Sequence, residues 1–333
     1  MRTPPVAVVT GGTAGVGRAT ALAFARAGYR VAVLARGARG LAETLAALQA
    51  VPDCQALALA VDMADAGAVE QAATRIEAEL GPIEVWVNSA MVTVFGPVDR
   101  LSAEEIRRVT EVTYLGTVHG TQAALRRMRP RNRGTLVQVG SALAYRAIPL
   151  QSAYCAAKFA IRGFTDALRC ELRHDGSAIR VSMVQLPAHD TPQFDWARNK
   201  MARRPQPVPP IHSPEVAARA ILRAARTAPR ELWLGWPSLK AILGGMLAPG
   251  LADRLLARQA WDGQMTREAA DPTRPDNLFA PVERPASAGG RFGGRARDHA
   301  TGVSETRLRQ GALAAGLALA TLAALALVRR GGR

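Results

Sequence analysis

The chain has few cysteines, few lysines and few aromatic residues. Its three cysteines (Cys54, Cys155 and Cys170) are scattered and lack metal-ligand spacing, which argues against both a disulfide framework and a zinc site. The amino terminus has no apolar run of the kind found in secretory signals. No internal repeat is evident. We therefore expect the main domain to lie in the reducing cytoplasm.

Acidic residues are also scarce, with 27 Asp and Glu against 43 Lys and Arg, which gives a formal net charge of +16. A basic chain invites a nucleic-acid interpretation, but the arginines are spread over many segments and no nucleic-acid motif accompanies them. We predict no nucleic-acid partner. The surplus positive charge suits a position near anionic lipid.

Apolar runs of strand length alternate with helical periodicity along most of the 333 residues. The strand-like runs lie at 6–10, 30–34, 55–61, 83–88, 135–139, 179–185 and 231–234. Such alternation predicts an α/β fold with a doubly wound, Rossmann-like parallel sheet of about seven strands. We assign residues 1–236 to this domain.

A glycine-rich turn follows the first strand-like run. Thr10 to Gly17 reads TGGTAGVG, and a helical pattern begins directly after it. Glycines at such a turn let the backbone approach a pyrophosphate, and the helix amino terminus favours an anion. The turn predicts a dinucleotide site with contacts from Thr10, Gly11, Gly15, Val16 and Gly17.

Tyr154 and Lys158 lie four residues apart, and Ser141 ends a strand-like run thirteen residues before Tyr154. Positions i and i+4 of a helix share a face, so the Lys158 ammonium would lie beside the phenol and favour its ionised form. Only three lysines occur among 43 basic residues, so Lys158 departs from the preference of this chain for Arg. A chance Tyr–Lys pair on a helix is the alternative interpretation.

Together these patterns resemble the short-chain dehydrogenase/reductase family, whose TGxxxGxG and YxxxK motifs match residues 10–17 and 154–158. The resemblance runs from about residue 5 to about residue 236. It implies a nicotinamide-dependent oxidoreductase in which Tyr154 exchanges a proton with the substrate oxygen. Lys158 would lower the Tyr154 pKa and contact the nicotinamide ribose, and Ser141 would orient the substrate.

Three further positions carry over from the same family. Asp62 would contact adenine, although a helix cap is an equally simple role for it. Asn88 begins a segment, NSAM, that departs from the family's NNAG element at Ser89 and Met91. Thr191 would bind the nicotinamide carboxamide, in a loop where Ala188 replaces the usual Gly.

Thr113 stands where the family usually has an Asn that holds a water in the proton relay. A hydroxyl has a shorter reach and fewer donors than an amide. We expect the relay to survive in altered form. The alternative is a protein that binds the cofactor without turning over.

Arg36 follows the second strand-like run, where an acid would select NAD and an arginine can pair with a 2′-phosphate. This position favours NADP(H) over NADH.

The remaining chain is predicted to be an extension with a helix over 238–260 and a linker over 262–305, so that residues 237–305 form one segment. The helix would lie over the substrate cleft, against a bilayer or on the core. Residues 306–333 contain 18 residues, Gly311 to Val328, without a charge, which is enough to cross about 27 Å of hydrocarbon. We predict a carboxyl-terminal membrane anchor. A helix packed on the domain or in a dimer is the alternative.

The sequence thus predicts a membrane-tethered, NADP-dependent enzyme that interconverts a carbonyl and an alcohol on a lipophilic small molecule. The catalytic domain would face the cytoplasm, and a homo-oligomer is expected from the family. A cofactor-binding scaffold or regulator with little turnover is one alternative. An isomerase or dehydratase that recycles its nicotinamide is the other.

Overall fold

The computed structural model describes residues 3–315 and residue 318. The strands, in chain order, are β1 Val6–Thr10, β2 Arg30–Ala35, β3 Ala56–Ala60, β4 Ile83–Asn88, β5 Val94–Phe95, β6 Thr135–Ser141, β7 Arg180–Leu186, β8 Arg198–Asn199, β9 Arg203–Pro205, β10 Ile211–His212, β11 Glu231–Leu234, β12 Met265–Ala269, β13 Ala296–Arg297 and β14 Gly302–Ser304. The α-helices are α1 Gly15–Arg26, α2 Ala38–Gln49, α3 Ala66–Leu80, α4 Ala103–Val109, α5 Gly116–Met128, α6 Ser152–His174, α7 Gln193–Trp196, α8 Pro214–Thr227, α9 Gly235–Leu247 and α10 Pro249–Gly263.

Eight strands form one sheet in the order β14-β11-β7-β6-β4-β1-β2-β3. Neighbouring strands are parallel except for β14, which runs antiparallel to β11. Since β1 lies between β2 and β4, the winding direction of the sheet reverses beside β1. Ligands of doubly wound sheets bind at such a switch point, outside the carboxyl ends of the strands.

Both faces of the sheet are covered by helices. Successive residues of β1 point to opposite faces, so Val9 belongs to one buried cluster with Phe24 of α1, while Val8 belongs to another with Ile76 of α3 and Leu168 of α6. Strands buried on both faces read as continuous apolar runs, which is why the sequence marked them clearly.

The predicted fold class is confirmed. Each of the seven predicted strand-like runs corresponds to one of the parallel strands. The eighth strand, β14, was not predicted, because Gly302–Ser304 lies at the end of a segment with linker composition.

The carboxyl-terminal extension differs from its prediction in two ways. The helix predicted over 238–260 is a pair, α9 and α10, divided at Ala248 and Pro249. Residues 262–305 do not leave the domain as a linker but lie on it, and Leu278 and Phe292 are buried there. Their composition suggested a tether, but their backbone groups find partners on the catalytic domain.

In the part of the chain described above, no helix combines the length and the apolar character needed to span a bilayer. The predicted anchor, Gly311 to Val328, lies mostly outside that part. Residues 305–315 are helical.

Candidate active site

The carboxyl ends of the central strands open into a cleft of about 820 Å³. Residues from the glycine turn, the strand ends and α6 line it, together with α9, α10 and part of the extension. The predicted site residues on its wall are Gly11, Gly15, Val16, Gly17, Arg36, Asp62, Ser141, Tyr154, Lys158 and Thr191. The fold thus brings most of the predicted site to one place.

The glycines of the turn are required by its geometry. Gly11 and Gly15 have φ angles of +67° and +53°, which L side chains rarely adopt. A Cβ on Gly17 would lie 2.2 Å from the carbonyl oxygen of Gly11, so the amino end of α1 could not approach the turn. The Ala14 N-cap supplies no side-chain hydrogen bond to α1, whose second residue is Val16.

These features fit a dinucleotide. The turn holds bare backbone against the end of the cleft, and the first turn of α1 carries no acidic side chain that would repel a pyrophosphate.

Ser141, Tyr154 and Lys158 converge from two elements, the end of β6 and the first two turns of α6. Lys158 is buried and its Nζ donates to the carbonyl oxygen of Val139 at 2.7 Å. The same Nζ lies 5.5 Å from the centroid of the Tyr154 ring. The i,i+4 spacing therefore places the ammonium beside the phenol ring, and its hydrogen bond in this structure goes to the strand.

Burial shifts both titrations. It raises the pKa of Tyr154 well above its ordinary value, while the nearby Ser141 side chain acts on this pKa in the opposite direction. Burial also lowers the pKa of Lys158 to about 8. Lys158 is therefore largely a cation at neutral pH, within reach of a phenol that needs a positive charge before it can ionise.

Thr113 is fully buried on a π-helical turn, Thr110–Leu115, between α4 and α5. Its hydroxyl accepts from the Val92 N–H and donates to the Val92 carbonyl oxygen, both at 3.1 Å. The only proton of the hydroxyl is thus used on the backbone. Thr113 holds the segment after β4 in place, at a kind of helix irregularity that often accompanies functional sites.

Asn88 and Thr10 lie behind the cleft and are not on its wall. The Asn88 side chain accepts from Trp86 Nε1 at 2.8 Å and donates to Thr121 and Gln138. Thr10 Oγ1 accepts from the backbone N–H groups of Ser89 and Ala90, at 2.9 and 3.1 Å. Both side chains fasten the strand ends on which the cleft is built.

Asp62 and Arg36 line the cleft just after the carboxyl ends of β3 and β2, where the sequence predicted the adenosine contacts. Asp62 forms an ion pair with Arg108 and also accepts from the Ala64 N–H at 3.0 Å. Burial raises the pKa of Asp62, but the Arg108 contact and the backbone bond outweigh it, so the pKa is lowered overall. The Arg36 guanidinium donates to the backbone carbonyl oxygens of residues 277–279.

Thr191 packs over the glycine turn, and its Cβ would lie 3.2 Å from a Cβ built on Gly15. It thus closes the cleft beside the first turn of α1. Next to it, Asp190 is buried and accepts from the Phe292 N–H at 2.9 Å, which fixes the extension to this loop.

Sequence reasoning missed the part of the wall that comes from residues 281–286. No sequence pattern marked these residues as part of the site, because a run rich in Pro, Arg and Glu is typical of a solvated linker.

Comparison with known proteins agrees with this geometry. The family model for short chain dehydrogenases matches residues 5–202. The chain belongs to that family. It is 30% identical over 276 residues to the uncharacterised oxidoreductase YxnA of Bacillus subtilis, covering 82% of this chain and 77% of the relative.

Two solved structures are similar to this short-chain dehydrogenase. A short-chain dehydrogenase from Streptomyces avermitilis superposes with a TM-score of 0.65 and 27% identity, covering 79% of this chain and 97% of the other. An alcohol dehydrogenase from the archaeon Thermococcus sibiricus, complexed with 5-hydroxy-NADP, gives 0.59 and 26%, covering 69% and 95%. The protein is thus an NAD(P)-dependent oxidoreductase that acts on carbonyl or alcohol groups.

Proposed function

We propose that this enzyme interconverts a carbonyl and an alcohol on a lipophilic substrate with NADP(H), and that Tyr154 is its general acid and base. The observation that carries the proposal is the convergence of Ser141, Tyr154 and Lys158 beside the glycine turn. The cofactor supplies a hydride acceptor or donor at its nicotinamide C4.

In the reducing direction, the Tyr154 hydroxyl would give its proton to the oxygen of the carbonyl that is being reduced, which leaves Tyr154 as a phenolate. In the oxidising direction, the phenolate takes that proton back. Lys158 stabilises the phenolate as a buried cation, and the Ser141 hydroxyl orients the substrate oxygen toward Tyr154. Positioned proton transfer of this kind contributes roughly 10²- to 10⁴-fold in rate.

Thr113 takes no direct part in this proton transfer in our proposal, because its hydroxyl is engaged by Val92. It is a positioning residue that holds the segment after β4 against the π-helical turn.

NADP(H) is the cofactor we propose, on the strength of Arg36 at the end of β2. The complex of the Thermococcus sibiricus relative with an NADP analogue supports this choice. Thr191, Asp62 and the glycine turn supply the remaining contacts.

The proposal of a lipophilic substrate is based on apolar side chains of α9 and α10. Trp236, Leu255 and Leu256 of these helices line the cleft. On the same helix pair, Leu247 is 82% exposed and Leu251 is 58% exposed, so α9 and α10 also present apolar side chains to solvent. We further propose that residues 306–333 anchor the enzyme to a membrane with the catalytic domain in the cytoplasm.

The test is NADPH oxidation by detergent-extracted protein over a panel of sterol, quinone, retinoid and acyl ketones, with small water-soluble ketones as the matched set. We expect turnover on apolar ketones, and loss of about 10²-fold or more in kcat for Tyr154→Phe with NADPH binding retained. Equal turnover by wild type and Tyr154→Phe would refute the proposed role of Tyr154. Product formation without net change in dinucleotide absorbance would indicate an isomerase or dehydratase instead.

A further inference from the structure

Residues 277–287, here called the strap, run along the adenosine end of the cleft. Arg36 donates to the carbonyl oxygens of Leu278 and Phe279 at 3.3 and 3.2 Å, and also to that of Asn277. These contacts join residues more than 240 positions apart in the chain. The guanidinium that the sequence assigns to a 2′-phosphate is thus held by the backbone of the strap.

Glu283 of the strap lies at the amino terminus of α2. Its two carboxylate oxygens accept from the backbone N–H groups of Ala38 and Arg39, at 3.1 and 3.0 Å. The N-cap residue, Gly37, contributes no side-chain bond of its own. A carboxylate at this place satisfies the free N–H groups and the positive end of the helix, as a phosphate group does.

The far end of the strap reaches the glycine turn. The Gly15 N–H donates to the carbonyl oxygen of Ser287 at 2.9 Å, and the Ala286 N–H donates to Glu43 at 2.6 Å. Leu278 is fully buried, and its carbonyl oxygen also accepts from Arg108 at 3.1 Å. The strap therefore contacts Arg36, the α2 amino terminus and the glycine turn, three groups that would bind the adenosine diphosphate moiety.

We propose that Glu283 is a specificity-determining residue, an internal anion that occupies the position of the ribose 2′-phosphate and must be displaced before a 2′-phosphorylated dinucleotide binds. The inference rests on the dinucleotide site of the proposed function. A carboxylate and a phosphate repel each other and compete for the same N–H donors, whereas a ribose 2′-hydroxyl carries no charge. Glu283 thus lowers affinity for NADP(H) and leaves affinity for NAD(H) nearly unchanged. Glu283 therefore limits the preference for NADP(H) over NAD(H) that Arg36 provides.

The experiment is isothermal titration of the full chain with 2′,5′-ADP and with 5′-AMP, which differ only by the 2′-phosphate. Glu283→Gln keeps the shape of the side chain and removes its charge, and Glu283 is exposed, so the variant should fold. Glu268→Gln is the matched control, since Glu268 belongs to the same extension but is 62% exposed and pairs with Arg204 and Arg291.

We expect Glu283→Gln to tighten 2′,5′-ADP binding about tenfold, a change of about 1.4 kcal/mol. Binding of 5′-AMP should stay within about twofold, and Glu268→Gln should change neither. Unchanged or weaker 2′,5′-ADP binding by Glu283→Gln, with 5′-AMP bound normally, overturns the inference alone. Failure of every form to bind either nucleotide overturns the dinucleotide site and the proposed function with it.

Discussion

Lys158 Nζ and the carbonyl oxygen of Val139 form a buried hydrogen bond of 2.7 Å that joins α6 to β6 near the carboxyl end of the strand. The bond fixes the ammonium at the cleft wall, on the same helix face as Tyr154. Because Val139 is two residues before Ser141, this contact ties the strand that carries the serine to the helix that carries the tyrosine.

The first prediction concerns pH. With a pKa of about 8, Lys158 is a cation below that value and loses its charge as the pH rises through it. We expect kcat/KM for carbonyl reduction to fall above about pH 8. Lys158→Arg cannot lose its charge in this range, so its residual activity should lack that limb. The same alkaline limb in both proteins would show that another group titrates.

Thr113 gives a prediction about stability. Thr113→Val leaves the buried N–H and carbonyl groups of Val92 without their partner, which should lower the free energy of unfolding by about 2 kcal/mol or more. It should also lower kcat by shifting the segment after β4. Thr113→Ser keeps the hydroxyl and should cost about 1 kcal/mol with kcat retained. Urea unfolding and steady-state kinetics of both variants test this, and equal losses would contradict it.

Two glycine substitutions should differ in outcome, because one disturbs the dinucleotide turn and the other stabilises a helix. Gly17→Ala would place a Cβ 2.2 Å from the Gly11 carbonyl oxygen, so the turn must shift and dinucleotide binding should be lost or greatly weakened. Gly163→Ala, within α6, meets no atom within 4 Å and should raise stability by up to about 1 kcal/mol. Thermal melting with and without NADPH measures both. Normal NADPH binding by Gly17→Ala would show that the glycine turn is not part of the cofactor site.

A further prediction concerns His189, whose protonation should make the free energy of unfolding depend on pH in acid. Burial lowers its pKa to about 4, against an ordinary value of 6.5, while its bond to the Pro187 carbonyl oxygen opposes this. His189 becomes protonated below about pH 6.5 in the unfolded chain, but only below about pH 4 in the folded protein. Stability contributed by the neutral ring is therefore present above pH 6.5 and declines by about 3 kcal/mol as the pH falls to 4.

The comparison for His189 is His189→Gln, which cannot titrate. Urea unfolding at pH 7 and at pH 4 should show a smaller acid loss in this variant than in the wild type, while His174→Gln, at an exposed position, should behave as the wild type does. If the free energy of unfolding fell equally between pH 7 and pH 4 in the wild type and in His189→Gln, His189 would not be the group responsible.

The sequence predicted the parallel sheet well because buried strands such as β1 and β4 are continuous apolar runs. Through the resemblance of residues 10–17 and 154–158 to the family's two motifs, it also predicted that the glycine turn and Tyr154 belong to one site, and both line the same cleft. It could not predict the course of residues 262–305. Contacts such as Arg36 with the Phe279 carbonyl oxygen depend on backbone groups, which every residue carries and no sequence pattern marks.

The antiparallel strand β14 has a consequence for self-association. Gly302 to Ser304 pair with Leu232 to Leu234 and so use the hydrogen-bonding groups on the outer side of β11. A second subunit therefore cannot extend the sheet by adding its own strand directly to β11. The predicted homo-oligomer would have to use another surface, such as the helices, β14 or the opposite border of the sheet at β3.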